Sequence, residues 1–96
     1  MTKKFFNDWS NKRSLTTKIE LQNYAYSFER NGKIYYVYNN DLNVNTLTFE
    51  GEYISIVVNA HWIYINNSGY LDKSKYGNET IRIKIHRKYI KTVHFT

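Results

Sequence analysis

Residues 80–89, TIRIKIHRKY, alternate without a fault over their first seven positions. Ile81, Ile83 and Ile85 fall on one side. Arg82, Lys84 and His86 fall on the other, and Lys88 continues that row. A side-chain period of two marks a β-strand with one face buried and one face wet. This strand offers isoleucine to a core and base to a surface. The chain must therefore be organised around a sheet.

The remaining segments agree with a mainly β fold. Residues 15–23 alternate Ile19 and Leu21 against Lys18, Glu20 and Gln22, as a half-buried strand does. Asn31-Gly32 supplies the two positive φ angles of a tight type I′ hairpin. Such a turn pairs Phe28 with Tyr35 and Tyr26 with Val37 on a core face that also takes Tyr24. It leaves Ile34, Tyr36 and Tyr38 partly exposed. Residues 39–45 (NNDLNVN) read as a loop. Glu50-Gly51 suggests a second hairpin, with Leu47 opposite Ile54 and Asn45 opposite Ile56.

Residues 52–66 are long for one strand, so a turn is expected at Asn59-Ala60. That turn puts His61, Ile63 and Ile65 on the face of Ile54, Ile56 and Val58. Tyr53, Trp62 and Tyr64 take the opposite face. Residues 66–78 read as a turn-rich loop. Alternation fails at Arg87, which calls for a bulge or a turn near Arg87-Lys88. At the other end, residues 1–14 form the one helix candidate, capped by Thr2, with Phe5, Phe6, Trp9 and Arg13 on one side. The helix either covers an open end of the sheet or serves as a basic aromatic docking arm.

These readings predict a single domain, 1–96, in which a helix or arm (1–14) precedes an antiparallel β domain (15–96). The expected architecture is a meander of six to eight strands forming a small barrel or sandwich. The chain has no cysteine, so neither a disulfide nor a thiolate metal site enters. No apolar run approaches the eighteen residues of a membrane span, and no apolar segment follows Lys3 and Lys4 as in a signal peptide. A cytoplasmic protein that does not engage membranes is expected. Asn, Lys, Ile and Tyr are abundant, Ala is scarce and Pro is absent. This is the usage of an A/T-rich genome, such as a low-GC bacterium or its phages and mobile elements.

Charge is distributed unevenly. Residues 1–33 carry seven Lys/Arg and three acids; residues 34–72 carry no Lys/Arg and four acids; residues 73–96 carry seven Lys/Arg and one acid. Basic ends around an acidic middle point to a partner surface. The contact residues expected from base and aromatic patterning are Arg82, Lys84, His86 and Lys88, with Tyr53, Trp62, Tyr64, Tyr36 and Tyr38. Alternate strand residues stand about 6.6 Å apart, a comfortable step along a phosphate backbone. However, the Trp62 row lies in the cation-free middle.

No catalytic residue, cofactor or metal site is expected: no two of His61, His86 and His94 share a ligand spacing, and His61 reads as a packed, hydrogen-bonded core histidine. The leading expectation is a small non-catalytic protein that occupies an acidic protein or protein–nucleic-acid partner. In a phage or mobile element it would inhibit a host nucleic-acid-handling or defence complex, as anti-CRISPR proteins do. Two alternatives stand beside it. One is a DNA- or RNA-binding β domain. The other is a small metal-independent ribonuclease using His86 and His94, with Lys84 or Arg87 steadying phosphate.

Overall fold

A computed structural model describes residues 1–12 and 14–96. The expected place of Arg13 on the helix lies outside the described residues. Helix α1 spans Lys3–Asn11, and Thr2 caps it by accepting a hydrogen bond from the Phe5 amide at 3.3 Å. Seven strands follow: β1 Thr16–Leu21, β2 Ala25–Arg30, β3 Lys33–Tyr38, β4 Leu42–Glu50, β5 Tyr53–Ile65, β6 Leu71–His86 and β7 Ile90–Phe95. All pairings are antiparallel. The mainly β fold with an N-terminal helix is as expected. The strands close no barrel among the described residues. They form a five-stranded sheet and a separate β1–β7 ribbon, which share one core with α1.

β5 is the axis of the large sheet. Along one edge it pairs with β6 for its whole length. Along the other edge it pairs with β4 through residues 53–58 and with β3 through residues 61–64. Thirteen residues at about 3.3 Å each span roughly 40 Å, and the molecule's longest extent is 46 Å. The turn expected at Asn59-Ala60 is therefore absent. That dipeptide sits where β5 changes neighbour from β4 to β3, and β6 pairs with it there along the other edge. An unbroken strand keeps its alternation. Ala60, Trp62 and Tyr64 continue the face of Ile54, Ile56 and Val58. His61, Ile63 and Ile65 continue the opposite face, with Tyr53. The facial assignment of residues 61–65 is thus the reverse of that expected.

Other expectations shift in defined ways. The Asn31-Gly32 hairpin has the expected register, with Phe28 opposite Tyr35 and Tyr26 opposite Val37. Its turn residues have φ of 55° and 73°. Tyr24 leaves the core face: its own φ is 64°, in a tight turn after β1, and 73% of it is exposed. Residues 42–45 belong to β4 rather than a loop, and Leu42 is buried. The second hairpin turns at Gly51-Glu52, pairing Phe49 with Ile54. The two-residue slip preserves the faces, because side chains alternate with period two.

β6 begins at Leu71, so residues 71–78 extend a ribbon instead of forming a loop. After His86 the chain makes a single 3-10 turn (Arg87–Tyr89) and leaves the sheet, and β7 pairs with β1. This avoids both the buried Arg87 and the Lys84–Lys91 clash of a hairpin. Arg87 instead donates to Glu52 Oε1 at 3.0 Å and to the Met1 carbonyl at 3.2 Å.

The core gathers the predicted isoleucines. Ile54, Ile56, Ile83, Ile85, Ile19, Leu21 and Val37 are all buried, and Ile81 packs against them half-buried. Helix α1 does cover the sheet, through Phe6 and Trp9, which meet Phe49 edge-on with ring centroids 5.6 and 4.8 Å away. The buried Trp9 indole N–H donates to Thr16 Oγ1 at 3.0 Å, which meets the requirement that buried polar groups be paired. Phe5 departs from the expected covering face and is 67% exposed. No described helix is long and apolar enough to cross a membrane.

Candidate functional site

The expected contact residues separate onto opposite faces of the large sheet. Arg82, Lys84 and His86 stand opposite Val57, Ser55 and Tyr53 in the β5–β6 ladder. They therefore share the outward face with Tyr53 and, farther along, with Tyr36, Tyr38 and His61. The basic row is not free on that face. Arg82 Nη1 donates to the Thr46 carbonyl at 3.2 Å and to Ser55 Oγ at 3.1 Å. Its target is a defect in β4: the β4–β5 register slips by three residues between Asn43 and Thr48, which leaves backbone groups without ladder partners. Arg82 takes one such carbonyl, and Thr46 Oγ1 accepts from the Val57 amide at 2.9 Å.

Lys84 lies 2.8 Å from Glu50 Oε1, with both side chains more than half exposed, a pair worth at most about 1 kcal/mol. His86 Nδ1 accepts from the Lys88 amide at 3.1 Å, and its ring meets Tyr53 edge-on. Lys88 sits in the 3-10 turn, with its ammonium 5.1 Å from the Tyr89 ring centre. This row serves the sheet's own carbonyls and carboxylates before it serves a phosphate chain.

His61 is hydrogen-bonded, as expected, but on the outward face. Nε2 lies 3.0 Å from Asp41 Oδ2 and Nδ1 lies 2.8 Å from Asn78 Oδ1. The ring stacks on Tyr36 at 5.2 Å. His61 thereby ties β5 to β6 and to the turn that separates β3 from β4. The two histidines of the ribonuclease reading face different carboxylates: His86 ends β6 and lies 4.0 Å from Glu52, whereas His94 is on β7 and lies 3.4 Å from Glu20. Each thus has its own carboxylate, and they belong to different sheets.

Trp62 and Tyr64 lie on the other face, at the far end of the β5–β6 ribbon. Here pairing overturns the linear charge argument. Lys33 stands opposite Tyr64 across β3–β5, and its ammonium sits 4.3 Å from the centre of the Trp62 ring. Lys75, from β6, stands 5.3 Å from the Tyr64 ring centre. The cations missing from residues 34–72 arrive from the strands on either side.

The Trp62 indole lies flat because its neighbour across the ladder is Gly77. A Cβ at that position would stand 2.8 Å from Trp62 Cζ2, closer than carbon atoms pack. Between Ile63 and Tyr64 the β5–β6 register slips by three residues, so Lys73, Ser74 and Lys75 bulge outward. Ser74 and Asp72 brace the bulge: the Ser74 hydroxyl and amide donate to Asp72 Oδ1 at 2.5 and 3.1 Å, and the hydroxyl first, then the amide, hold that carboxyl's pKa below its ordinary value. Tyr70 and Tyr76 are 73% and 72% exposed at this end, Tyr76 opposite Ile63 and so on the face away from Trp62.

The result is an end of the molecule where two aromatic rings carry lysines and two more tyrosines face solvent. Buried between this end and the core, Tyr35 donates to Glu79 Oε2 at 2.9 Å; burial, then that carboxylate, pushes the phenol pKa up. Sequence reasoning missed Lys33, Lys75, Tyr70, Tyr76 and Gly77. Lys33 and Gly77 reach the site through strand pairing, and Tyr70, Lys75 and Tyr76 through the turn, bulge and return of the β5–β6 ribbon, so no local pattern marks them. Among the described residues, no group of three or more His, Cys, Asp or Glu is placed to hold a metal ion. Searches of protein families, curated proteins and solved structures find no match to this chain.

Proposed function

We propose that this is a small binding protein that docks on an acidic protein surface through the far end of its β5–β6 ribbon. The observation that carries this reading is the seating of Lys33 on Trp62 and of Lys75 on Tyr64, at an end of the ribbon where Tyr70 and, on the opposite face with Ile63, Tyr76 are also exposed. Tyr and Trp are the residues that most often dominate binding energy at protein interfaces. A lysine resting on an aromatic face gains only about 0.5–1 kcal/mol at an exposed site. A partner carboxylate can therefore draw it away while the ring enters the interface. The A/T-rich composition adds a context: the partner is a host nucleic-acid-handling or defence complex met by a phage or mobile-element product, which acts as its inhibitor.

The test is capture from a low-GC bacterial lysate by the immobilised protein, with and without nuclease, against a Tyr70→Ser/Tyr76→Ser variant. The expected result is nuclease-resistant capture of one protein species, which the variant loses while keeping its thermal unfolding midpoint. Capture that disappears with nuclease, together with binding of purified DNA or RNA that weakens steeply with salt, would replace this reading by direct nucleic-acid binding. Capture unaffected by the tyrosine changes would exclude the ribbon end as the interface.

A further inference from the structure

We propose that the cleft between α1 and β7 is a separate binding site for a small anionic amphiphile: a flat or short-chain apolar body with one carboxylate- or sulfonate-like head. The cleft holds about 640 Å³, within the roughly 300–1,000 Å³ usual for small-molecule sites. Its apolar surface is drawn from both walls. Trp9 lines it while only 3% exposed, its indole N–H already given to Thr16, so it closes the cleft with apolar rather than polar contact. Val93 and Phe95 line the β7 side half-buried.

Phe5 lines the helix side. It is 67% exposed although Phe6 beside it is fully buried, so the fold leaves one face of this aromatic uncovered at the cleft.

The polar groups set the sign of the ligand. Lys12, at the end of α1, holds its ammonium 4.6 Å from the Phe95 ring centre, and Lys91 stands on β7. Among the described residues Asp8 is the one lining carboxylate, four positions before Lys12, so the cleft keeps an excess positive charge. An apolar base with cations on both walls fits a molecule that is apolar along its length and negative at one end. It does not fit a bare phosphate, which would leave the aromatic surface wet.

The test is fluorescence titration of the intact protein with 8-anilinonaphthalene-1-sulfonate, compared with the uncharged N-phenyl-1-naphthylamine and with competition by decanoate. Saturable binding at one site per chain is expected, displaced by decanoate and weaker for the uncharged probe. A Lys12→Gln/Lys91→Gln variant should lose about tenfold in affinity, the equivalent of two exposed ion pairs. Phe5→Ser should also weaken binding. All three positions are exposed, so the variants should keep the wild-type near-ultraviolet circular dichroism. Equal affinity for the charged and uncharged probes, indifference to Phe5→Ser, or no saturable signal from folded protein would each overturn the assignment.

Discussion

Replacing Gly77 by alanine will lift the Trp62 indole off the sheet. The new Cβ would stand 2.8, 3.0 and 3.2 Å from Trp62 Cζ2, Cε2 and Nε1, whereas comfortable contacts lie at about 3.5–4.0 Å. The ring must therefore move by several tenths of an ångström to about an ångström. Forcing such a shift in a packed core costs about 1–3 kcal/mol. Trp62 is only half-buried, and the ammonium of Lys33 rests on its ring, so the ring has a direction in which to yield. Alanine also lowers the entropy of the unfolded chain, which returns about 0.4–1 kcal/mol where the backbone is compatible, and Gly77 is not in the left-handed region.

These opposing effects leave a net loss of about 1 kcal/mol or less, or a few degrees in Tm for a domain this size. The clearer signal is local. Trp9 is 97% shielded, so acrylamide quenching of tryptophan fluorescence reports mainly Trp62. Quenching should rise in Gly77→Ala, and partner capture should weaken as Lys33 loses its seat. Wild-type quenching with a wild-type Tm would mean that the indole does not lie against Gly77, and the account of the ribbon end would fail.

Two further outcomes follow from the polar network. Thr46→Val keeps the shape of the side chain but leaves the Val57 amide without its acceptor in the β4 bulge; chemical denaturation should show a loss of about 1–3 kcal/mol, and an unchanged midpoint would show that water takes the place of the hydroxyl. Glu52 should make stability depend on acidity: the hydrogen bond from Arg87 holds its carboxyl below the ordinary value of 4.5, so its contribution is present above that pH and is lost as pH falls through the lower folded-state value. Thermal midpoints measured from pH 6 down to 3 should fall less steeply in Glu52→Gln than in wild type, and parallel curves would remove this carboxylate from the acid response.

The sheet pattern was readable where side chains alternate against a single environment. Ile81, Ile83 and Ile85, the Asn31-Gly32 register and the Thr2 cap are all local matters of period, φ preference and one side-chain oxygen. The error at Asn59-Ala60 has a specific origin. Strand length is no property of the strand alone; β5 runs to thirteen residues because β3 takes over its edge where β4 departs, and β6 covers the other edge throughout. Its continuity reversed the faces of His61, Trp62 and Tyr64. Phe5 was expected to help cover the sheet because large aromatics usually are core, and Tyr24 to be buried because it alternates with Tyr26 and Phe28. A short helix can bury only one stripe, however, and Phe6 and Trp9 already fill it, while the positive φ of Tyr24 turns it outward.

By itself the sequence determined that this chain forms sheets with an isoleucine core, an N-terminal helix, and basic termini around an acidic middle. Those features depend on neighbours within a few residues and on composition. Only the tertiary structure decided which charges are free. It committed Arg82, Lys84 and Arg87 to the protein's own carbonyls and carboxylates, and it carried Lys33 and Lys75 to Trp62 and Tyr64. The reason is geometric: a ladder brings residues far apart in sequence to within about 5 Å, a distance at which a lysine and an aromatic ring interact and which no linear count of charge can measure.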